Sequence, residues 1–397
     1  MEPVLPNDES TEAPQDRLLA VTLGGWENVL DDAVRIELSP SCTVLVGKNA
    51  SGKSLILESI DHGAMASTFK HLVSTLGPPT MTFDMEIFGR PVSYTYKWQI
   101  DSDIDDTQEL ELHEVEEATI WSESCTYSDT GETIWQVERG LATVASGEEF
   151  RMPLETGLLR LKSTSSMNLP PEVGRIRRML RGVRLLKAGI PRSEGSRRMM
   201  ALYRYETSSR THNWYQSNAR VISAMSQLLF WFEERKELYE AVNIISKRLG
   251  VYRSMEVHID QLQTNPQQQE SPTHIATISV DGYDLGFGSD GTLRVLELVI
   301  GLVNPGTQVL LLEEPETAVH PGLLQRLLAE IESSSRTRQV VISTHSPIIV
   351  DWASPEIVRV VERTGRQCSA ARLSPEQVHW LKSYLDNDYT MSDALSL

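Results

Sequence analysis

A glycine–lysine–serine motif between an apolar segment and a helix-forming segment constrains this chain most. Val44–Val46 are apolar, and Gly47, four variable residues, Gly52, Lys53 and Ser54 follow them. Glycines at these positions let the backbone wrap closely enough to point several N–H groups at one anion. The helix that follows adds the positive end of its dipole. The motif predicts a phosphate-binding loop between a strand and a helix, and an ordinary glycine-containing turn is the alternative.

Each residue of such a loop has an expected contact with a nucleotide. Lys53 is predicted to reach the β- and γ-phosphates, and the Ser54 hydroxyl is predicted to bind Mg²⁺. The other predicted nucleotide-binding residues belong to the same loop and to the start of the helix: Gly47, Lys48, Asn49, Ala50, Ser51, Gly52 and Leu55.

Two carboxylates follow a second apolar segment. Val309–Leu312 is uninterrupted by polar residues, which is typical of a parallel strand buried on both faces, and Glu313 and Glu314 come next. Ligands bind at the carboxyl ends of such strands. Glu313 is therefore predicted to hold Mg²⁺ directly or through water, and Glu314 to face the γ-phosphate and polarise the attacking water. The alternative is a solvated acidic turn.

Two further polar groups follow or precede apolar segments. His345 follows the apolar run Val340–Ser343, where it could donate a hydrogen bond to a γ-phosphate oxygen or serve as a structural histidine. Gly288–Thr292 precedes an apolar helix. Ser289 and the Gly291 backbone suit an anion there, although the same residues also form an ordinary helix cap.

Composition limits the class of protein. The chain has 397 residues, 40% of them hydrophobic, and a net charge of −18, which opposes non-specific nucleic-acid binding overall. No apolar run reaches membrane-spanning length, so no membrane association is expected. The 3 cysteines are far apart in the sequence, which favours a reducing cytoplasm over a disulfide framework or a cysteine zinc site.

The β- and helix-like patterns predict four regions. Residues 1–16 are acidic and proline-containing, and are expected to form a disordered tail. Residues 17–100 and 273–397 are predicted to be two lobes of one α/β core. Residues 101–272 are predicted to be an insertion that contains β-strands and then mainly helices, because this stretch is far longer than an ordinary connection.

Four elements in this order resemble the ABC-type ATPases of the RecF/SMC/OLD group, and most closely the ATPase part of OLD-like prokaryotic defence proteins. They are Gly47–Ser54, Gly288–Thr292, Leu310–Glu316 with the following Val319-His320-Pro321, and Ser343–Pro347. The resemblance implies an α/β fold, namely a P-loop ABC-type ATPase head with a mixed sheet and helices, interrupted by a β-hairpin and a mainly helical insertion. ATP and Mg²⁺ are the implied cofactors.

The same resemblance implies a head-to-tail homodimer around two ATP molecules. Lys53, Ser54, Glu313, Glu314 and His345 would act from one subunit, and Ser289 and the Gly291 backbone from the other. Three departures qualify it. Glu313 stands where an aspartate is usual, the Leu-Ser-Gly-Gly-Gln signature is missing, and Gln99 is only a weak candidate for the Q-loop glutamine. Only about fifty residues follow His345, so the Toprim nuclease domain of OLD nucleases is expected to be absent.

The basic stretch from Glu172 to Arg210 has eleven Lys and Arg against three acids, whereas Asp101–Glu117 has nine acids and neither Lys nor Arg. A helical spacing would place Arg177, Arg181 and Arg184 on one face. That face could be solvated or paired internally, bind DNA or RNA, or contact a protein.

Three functions remain open at this stage. The first is an ATPase that controls a separate effector protein, such as a nuclease or toxin in antiviral defence. The second is a RecF/SMC-like repair or recombination ATPase that clamps DNA, and the third is a scaffold in which ATP only stabilises assembly.

Overall fold

The computed structural model describes the chain in separate segments. They are residues 16–25, 29–69, 78–100, 119–161, 167–187, 200–204, 221–261, 273–285, 288–385 and 390–395. The predicted tail at 1–16, except its last residue, and the acidic run at 101–117 lie outside these segments.

The strands of the described segments form three sheets. They are β1 Arg17–Leu23, β2 Val34–Glu37, β3 Cys42–Val46, β4 Thr80–Ile87, β5 Arg90–Ile100, β6 Thr119–Tyr127, β7 Thr133–Glu138, β8 Leu141–Val144, β9 Glu149–Arg151, β10 Val183–Leu186, β11 Met200–Arg204, β12 Met255–Gln261, β13 Thr273–Val280, β14 Tyr283–Asp284, β15 Val309–Glu313, β16 Gln339–Thr344, β17 Val358–Thr364 and β18 Gln367–Arg372.

The α-helices of the same segments mostly follow the strands of the core. They are α1 Lys53–Thr68, α2 Pro171–Arg181, α3 Val221–Glu234, α4 Lys236–Leu249, α5 Asp290–Val303, α6 Pro321–Ser334, α7 Pro347–Trp352, α8 Pro375–Leu385 and α9 Met391–Ala394.

The central sheet has the strand order β10-β15-β16-β3-β17-β18, and every neighbouring pair except β17–β18 is parallel. Its side chains alternate between two apolar clusters. Leu45, Leu311 and Val341 pack in one cluster, which includes α1 and α2. Val44 and Leu310 pack in the other, which includes α5 and α6. Both faces are covered, and this explains why β3, β15 and β16 read as continuous apolar runs.

A second sheet is antiparallel, in the order β2-β1-β4-β5-β6-β7-β8-β9. In β4 every second residue is buried, as expected where one face of a sheet packs on a core. The buried face shares its cluster with α1. The helix that follows the glycine loop therefore lies between the two large sheets, which hold it in place from both sides.

The third sheet has the order β11-β13-β12, with β14 pairing to β13. The helices α3 and α4 pack in the same cluster as α5. The sequence predicts one long helix from 212 to 249, but within the described part the helix is interrupted at Arg235, whose φ of −141° and ψ of 62° are not helical. The first residues of that predicted helix lie outside the described segments.

The predicted α/β fold with a mixed sheet is confirmed, but the pairing of the strands places domain limits differently. The strands β6–β9 continue the sheet that β1, β2, β4 and β5 begin, so this sheet does not end at the predicted boundary at residue 101. Within the predicted insertion, β10 pairs with β15 in the central sheet, and Ile176 and Leu180 of α2 pack in the cluster of α1. Residues 171–187 therefore belong to the core.

No helix among the described residues is long and apolar enough to cross a membrane.

Candidate functional site

The loop between β3 and α1 requires glycine at two positions. A Cβ on Gly47 would lie 2.3 Å from the carbonyl oxygen of Val361, closer than real side chains approach a backbone atom. Gly52 has a φ of +103°, which side chains strongly disfavour, and it caps the N-terminus of α1. The first turn of α1 carries no acidic residue, so no carboxylate there opposes an anion at the helix N-terminus.

Lys53 is buried at the start of α1. Its side chain is 6% exposed, and Nζ donates hydrogen bonds to the carbonyl oxygens of Gly47 at 2.7 Å and Lys48 at 3.1 Å. Burial lowers the pKa of the ammonium group, while the charges of Glu314 and Glu316 act in the opposite direction. The ammonium group is thus held inside the loop, within electrostatic range of two carboxylates.

The register of the central sheet brings the sequence-predicted groups to one edge. Glu313 on β15 lies opposite Ser343 on β16, and Ser343 lies opposite Leu45 on β3. Because these strands are parallel, the loops that follow them leave the sheet on the same side. β16 separates β15 from β3, so the segment that starts at His345 lies between the acidic residues and the glycine loop.

Glu314 and His345 form a pair of neighbouring titratable side chains at this edge. Glu314 Oε1 lies 3.3 Å from His345 Nδ1, and both side chains keep part of their surface exposed. The backbone of Glu314 has a φ of +41°, an uncommon conformation for a residue other than glycine. Its N–H donates to the Ser343 carbonyl oxygen at 2.9 Å. Strain of this kind costs about 1–3 kcal/mol and is concentrated at functional sites.

Glu316 occupies a more enclosed position than Glu314. Its Oε1 accepts hydrogen bonds from the Thr344 hydroxyl at 2.6 Å and from the His345 backbone N–H at 3.2 Å. The Thr344 hydroxyl oxygen in turn accepts from the Ser346 N–H at 2.9 Å. Glu316 ends the motif Leu310–Glu316, but no role is predicted for it, because a hydrogen bond to the residue before His345 has no sequence signature.

The donor atoms at this edge fit a nucleotide phosphate with Mg²⁺. Three buried oxygen atoms have no hydrogen-bond partner within the described part of the chain: Ser51 Oγ, Ser343 Oγ and Glu316 Oε2. Hydroxyl and carboxylate oxygens suit Mg²⁺, which usually binds one or two protein oxygens together with substrate phosphates and water.

The segment Gly288–Thr292, here called the serine loop, caps the N-terminus of α5. Ser289 Oγ accepts from the Thr292 N–H at 3.1 Å at the N-terminus of α5. A Cβ on Gly291 would lie 2.5 Å from the Ala318 carbonyl oxygen. The loop therefore packs on the segment that follows Glu316. A contact of Ser289 or Gly291 with a phosphate stays a prediction.

Arg294 links α5 to the strand that carries the carboxylates. It is 2% exposed, and its guanidinium group donates to the Glu313 carbonyl oxygen at 2.7 Å and to Glu297 Oε2 at 3.0 Å. No motif in the sequence predicts a role for Arg294. An arginine within an apolar helix start could have provided the signal, because a buried guanidinium group requires acceptors.

The hairpin of β17 and β18 packs against the glycine loop. Cys368 Sγ lies 3.8 Å from the Ser51 carbonyl oxygen, and a Cβ on Gly52 would lie 3.1 Å from the same sulfur. Burial raises the pKa of the Cys368 thiol. More than 300 residues separate this hairpin from the loop in the sequence, so no local pattern could have predicted the contact.

Comparison with known proteins gave a family match over part of the chain. A family model described as "AAA domain, putative AbiEii toxin, Type IV TA system" matches residues 201–351, less than half of the chain. The matched segment contains Ser289, the β15 carboxylates and His345. No curated protein matches the chain.

Structures of SMC heads are among the similar solved structures. One, an SMC head bound to the C-winged helix domain of ScpA, is 14% identical, with 91% of this chain and 99% of that chain covered and a TM-score of 0.44. The SMC head domain from Thermotoga maritima is 14% identical, with coverage of 90% and 99% and a TM-score of 0.38. The head with an extended coiled coil from Pyrococcus furiosus is 12% identical, with coverage of 94% and 100% and a TM-score of 0.42.

Residues 201–351 thus match an AAA-domain family model, and the loop between β3 and α1 has the conformation of a phosphate-binding loop. A finer assignment to OLD-like proteins is not established by these comparisons.

The basic face predicted beside the ATPase domain is not a single helix face. α2 ends at Arg181, and Arg184 lies on β10. Arg177 donates to the Leu158 carbonyl oxygen at 2.8 Å, and its pKa is lowered by burial and then by the charge of Arg181. The guanidinium group of Arg181 lies 5.3 Å from the ring centroid of Phe69. Internal contacts therefore use Arg177 and Arg181, and the prediction of one helical stripe was wrong.

Gln99 lies on β5, in the antiparallel sheet, and its side chain is exposed. Its weak candidacy as the Q-loop glutamine remains a prediction.

Proposed function

We propose that the ATPase domain hydrolyses ATP, and that ATP binding closes two copies of the chain head to tail. The observation that carries the proposal is the Glu314–His345 pair at 3.3 Å, on the sheet edge that also carries buried Lys53. A carboxylate beside an imidazole, close to a lysine held in a glycine loop, has the groups that phosphoryl transfer to water needs.

Each side chain at this edge has a role in the proposal. Lys53 binds the β- and γ-phosphates, and the backbone from Gly47 to Leu55 surrounds them. Glu314 orients the attacking water and accepts its proton. His345, when protonated, donates from one ring nitrogen to Glu314 and from the other to a γ-phosphate oxygen.

Ser54 and Glu313 would hold Mg²⁺. Mg²⁺ held there would supply positive charge against the negative charge that develops on the phosphate oxygens.

The serine loop supplies the reason for dimerisation. Ser289 and the Gly291 N–H of a second copy complete the γ-phosphate site, so two half-sites gain these contacts only in the closed state. A ligand shifts an equilibrium by its difference in affinity for the two states. ATP therefore favours the closed dimer, and hydrolysis favours opening.

The proposed biological role is control of a separate effector protein, a nuclease or toxin that acts in antiviral defence. The description of the matched family, which names a toxin of a type IV toxin–antitoxin system, supports this class of role. A DNA-clamping repair ATPase remains the second candidate. DNA binding would use Arg177, Arg181 and Arg184, but the guanidinium group of Arg177 already donates a hydrogen bond to the Leu158 carbonyl oxygen.

Steady-state phosphate release tests the chemistry. We expect Glu314→Gln to lower kcat by about 10²–10⁴-fold, the usual contribution of a general base, and to leave ATP binding within a few-fold of wild type. Glu332→Gln, at an exposed position on α6, is the control for loss of one negative charge. Equal rates in wild type and Glu314→Gln would refute the assignment of the base.

Affinity purification from the native cell tests the partner. Tagged Glu314→Gln protein is purified with ATP and Mg²⁺, and the co-purifying material is identified by mass spectrometry and by nuclease digestion. A stoichiometric nuclease or toxin supports the effector proposal. DNA without a protein partner would replace it with the DNA-clamping candidate.

A further inference from the structure

Three acidic side chains, Glu313, Glu314 and Glu316, lie within four residues at the end of β15, and the proposed chemistry uses the first two. The third, Glu316, is positioned differently from Glu314. Its side chain is 12% exposed and that of Glu314 is 29% exposed. Oε1 of Glu316 already accepts two hydrogen bonds. A carboxylate oxygen used in this way is poorly placed to bind a metal or to activate water.

The chain reverses direction so that Glu316 reaches β16. The Thr317 N–H donates to the Glu314 carbonyl oxygen at 3.0 Å, and the Val319 N–H donates to that of Glu316 at 3.0 Å. Together with the positive φ of Glu314, these bonds form tight turns after β15. The turns bring the Glu316 carboxylate within hydrogen-bonding distance of the His345 backbone N–H.

The contacts of Glu316 hold the backbone on both sides of His345. Oε1 accepts from the His345 N–H directly, and it accepts from the Thr344 hydroxyl, which accepts from the Ser346 N–H. Hydrogen bonds to a charged acceptor are stronger than those between neutral groups. A small displacement here would move the imidazole away from Glu314 Oε1, and catalytic groups need placement within about 0.5 Å.

We propose that Glu316 is a positioning residue, which sets the distance between His345 and Glu314 through the backbone of residues 344–346. The inference rests on the proposed function, because His345 and Glu314 matter to the rate only if the domain hydrolyses ATP. Oε1 of Glu316 makes this contribution through His345, and Oε2, which is buried with no hydrogen-bond partner within the described segments, takes no part in it.

Three variants separate positioning from charge. Glu316→Ala removes the acceptor from Thr344 and His345. Glu316→Gln keeps a carbonyl oxygen that can accept both bonds but removes the charge. We expect Glu316→Ala to lower kcat by about 10–100-fold with KM for ATP changed less than about 3-fold, the loss typical of a misplaced catalytic group. We expect Glu316→Gln to stay within about 5-fold of wild type. Thr344→Val, which keeps the shape of the side chain, should lower kcat in the same direction by a smaller factor.

A double-mutant cycle tests the route through His345. In a His345→Ala background, adding Glu316→Ala should cost less than about 2-fold in kcat, because residues that act as a unit are not additive. Fully additive losses would overturn the proposal. A rate of Glu316→Gln as low as that of Glu316→Ala would also overturn it, since charge rather than position would then be the contribution. If Glu316→Ala does not fold, Thr344→Val replaces it in the cycle with His345→Ala, and fully additive losses there would likewise overturn the proposal.

Amide hydrogen exchange at His345 gives a readout independent of hydrolysis. The His345 N–H should exchange slowly in wild type and in Glu316→Gln, and at least about 10-fold faster in Glu316→Ala. Unchanged exchange would overturn the positioning role. A wild-type chain without ATPase activity but with this exchange pattern would instead refute the proposed function and leave the structural role of Glu316 supported.

Discussion

The consequences of removing the Lys53 ammonium group follow from its environment. Its Nζ donates to the carbonyl oxygens of Gly47 and Lys48, and its side chain is 6% exposed. A phosphate replaces these carbonyl acceptors with charged oxygens, and hydrogen bonds between charged groups are about twice as strong as neutral ones. Loss of about 3 kcal/mol of binding free energy on Lys53→Ala is therefore expected, which weakens ATP binding about 150-fold.

The effect on stability should be much smaller. The variant loses two hydrogen bonds, but it also loses the cost of burying an ammonium group, which is the main cause that lowers the Lys53 pKa. We expect these opposing effects to leave a net loss of about 1–2 kcal/mol. The melting temperature should fall by only a few degrees.

Titration calorimetry with a slowly hydrolysed ATP analogue and Mg²⁺ measures the affinity, and thermal unfolding measures the stability. Lys48→Ala is the matched control, since it removes a positive charge from an exposed position of the same loop. Its affinity should remain within a few-fold of wild type. Unchanged affinity of Lys53→Ala, or an equal loss in Lys48→Ala, would refute the reasoning.

Three further predictions concern the loop and its neighbours. Gly291→Ala should destabilise the protein by about 1–3 kcal/mol, because its Cβ would lie 2.5 Å from a backbone carbonyl oxygen. In Gly174→Ala, in α2, the new Cβ meets no atom within 4 Å, and this variant should be more stable by about 0.5–1 kcal/mol. Chemical denaturation measures both changes in the free energy of unfolding. A maleimide should label Cys368, whose thiol is half-buried, before Cys42, whose pKa burial raises to about 12, and ATP should slow the labelling of Cys368. Affinity for ATP should fall as pH rises toward 10.5, the ordinary lysine pKa, because Lys53 then loses its proton. Lys53→Ala should lack this pH dependence. The wild-type apoprotein should gain stability over the same pH range, because the pKa of Lys53 is lower in the folded than in the unfolded chain.

The central sheet was predictable where the local pattern and the packing agree. β3, β15 and β16 are apolar runs because both of their faces are buried, and β15 and β16 end in the polar residues Glu313 and Thr344. β10 has a similar character but only four residues. It follows a helix rich in arginine. Its place in the same sheet depends on a long-range pairing with β15, which no local sequence pattern predicts.

The polar contacts inside the site were harder to predict than its motifs. The sequence places Glu314 and His345 after two strands, but the bonds of Glu316 to Thr344 and His345 depend on tight turns that begin with a left-handed glutamate. Arginines at helical spacing predict a basic face only if the helix continues, and α2 ends at Arg181.

The mass of Glu314→Gln in solution, with and without ATP and Mg²⁺, tests the central claim most directly. Light scattering after size-exclusion chromatography should give one chain, 44.6 kDa, without nucleotide and about twice that mass with ATP, with one ATP per chain in the dimer peak. The double variant with Lys53→Ala should stay monomeric. A chain that binds ATP but remains monomeric at all protein concentrations would contradict the account, and so would a dimer of equal stability without nucleotide.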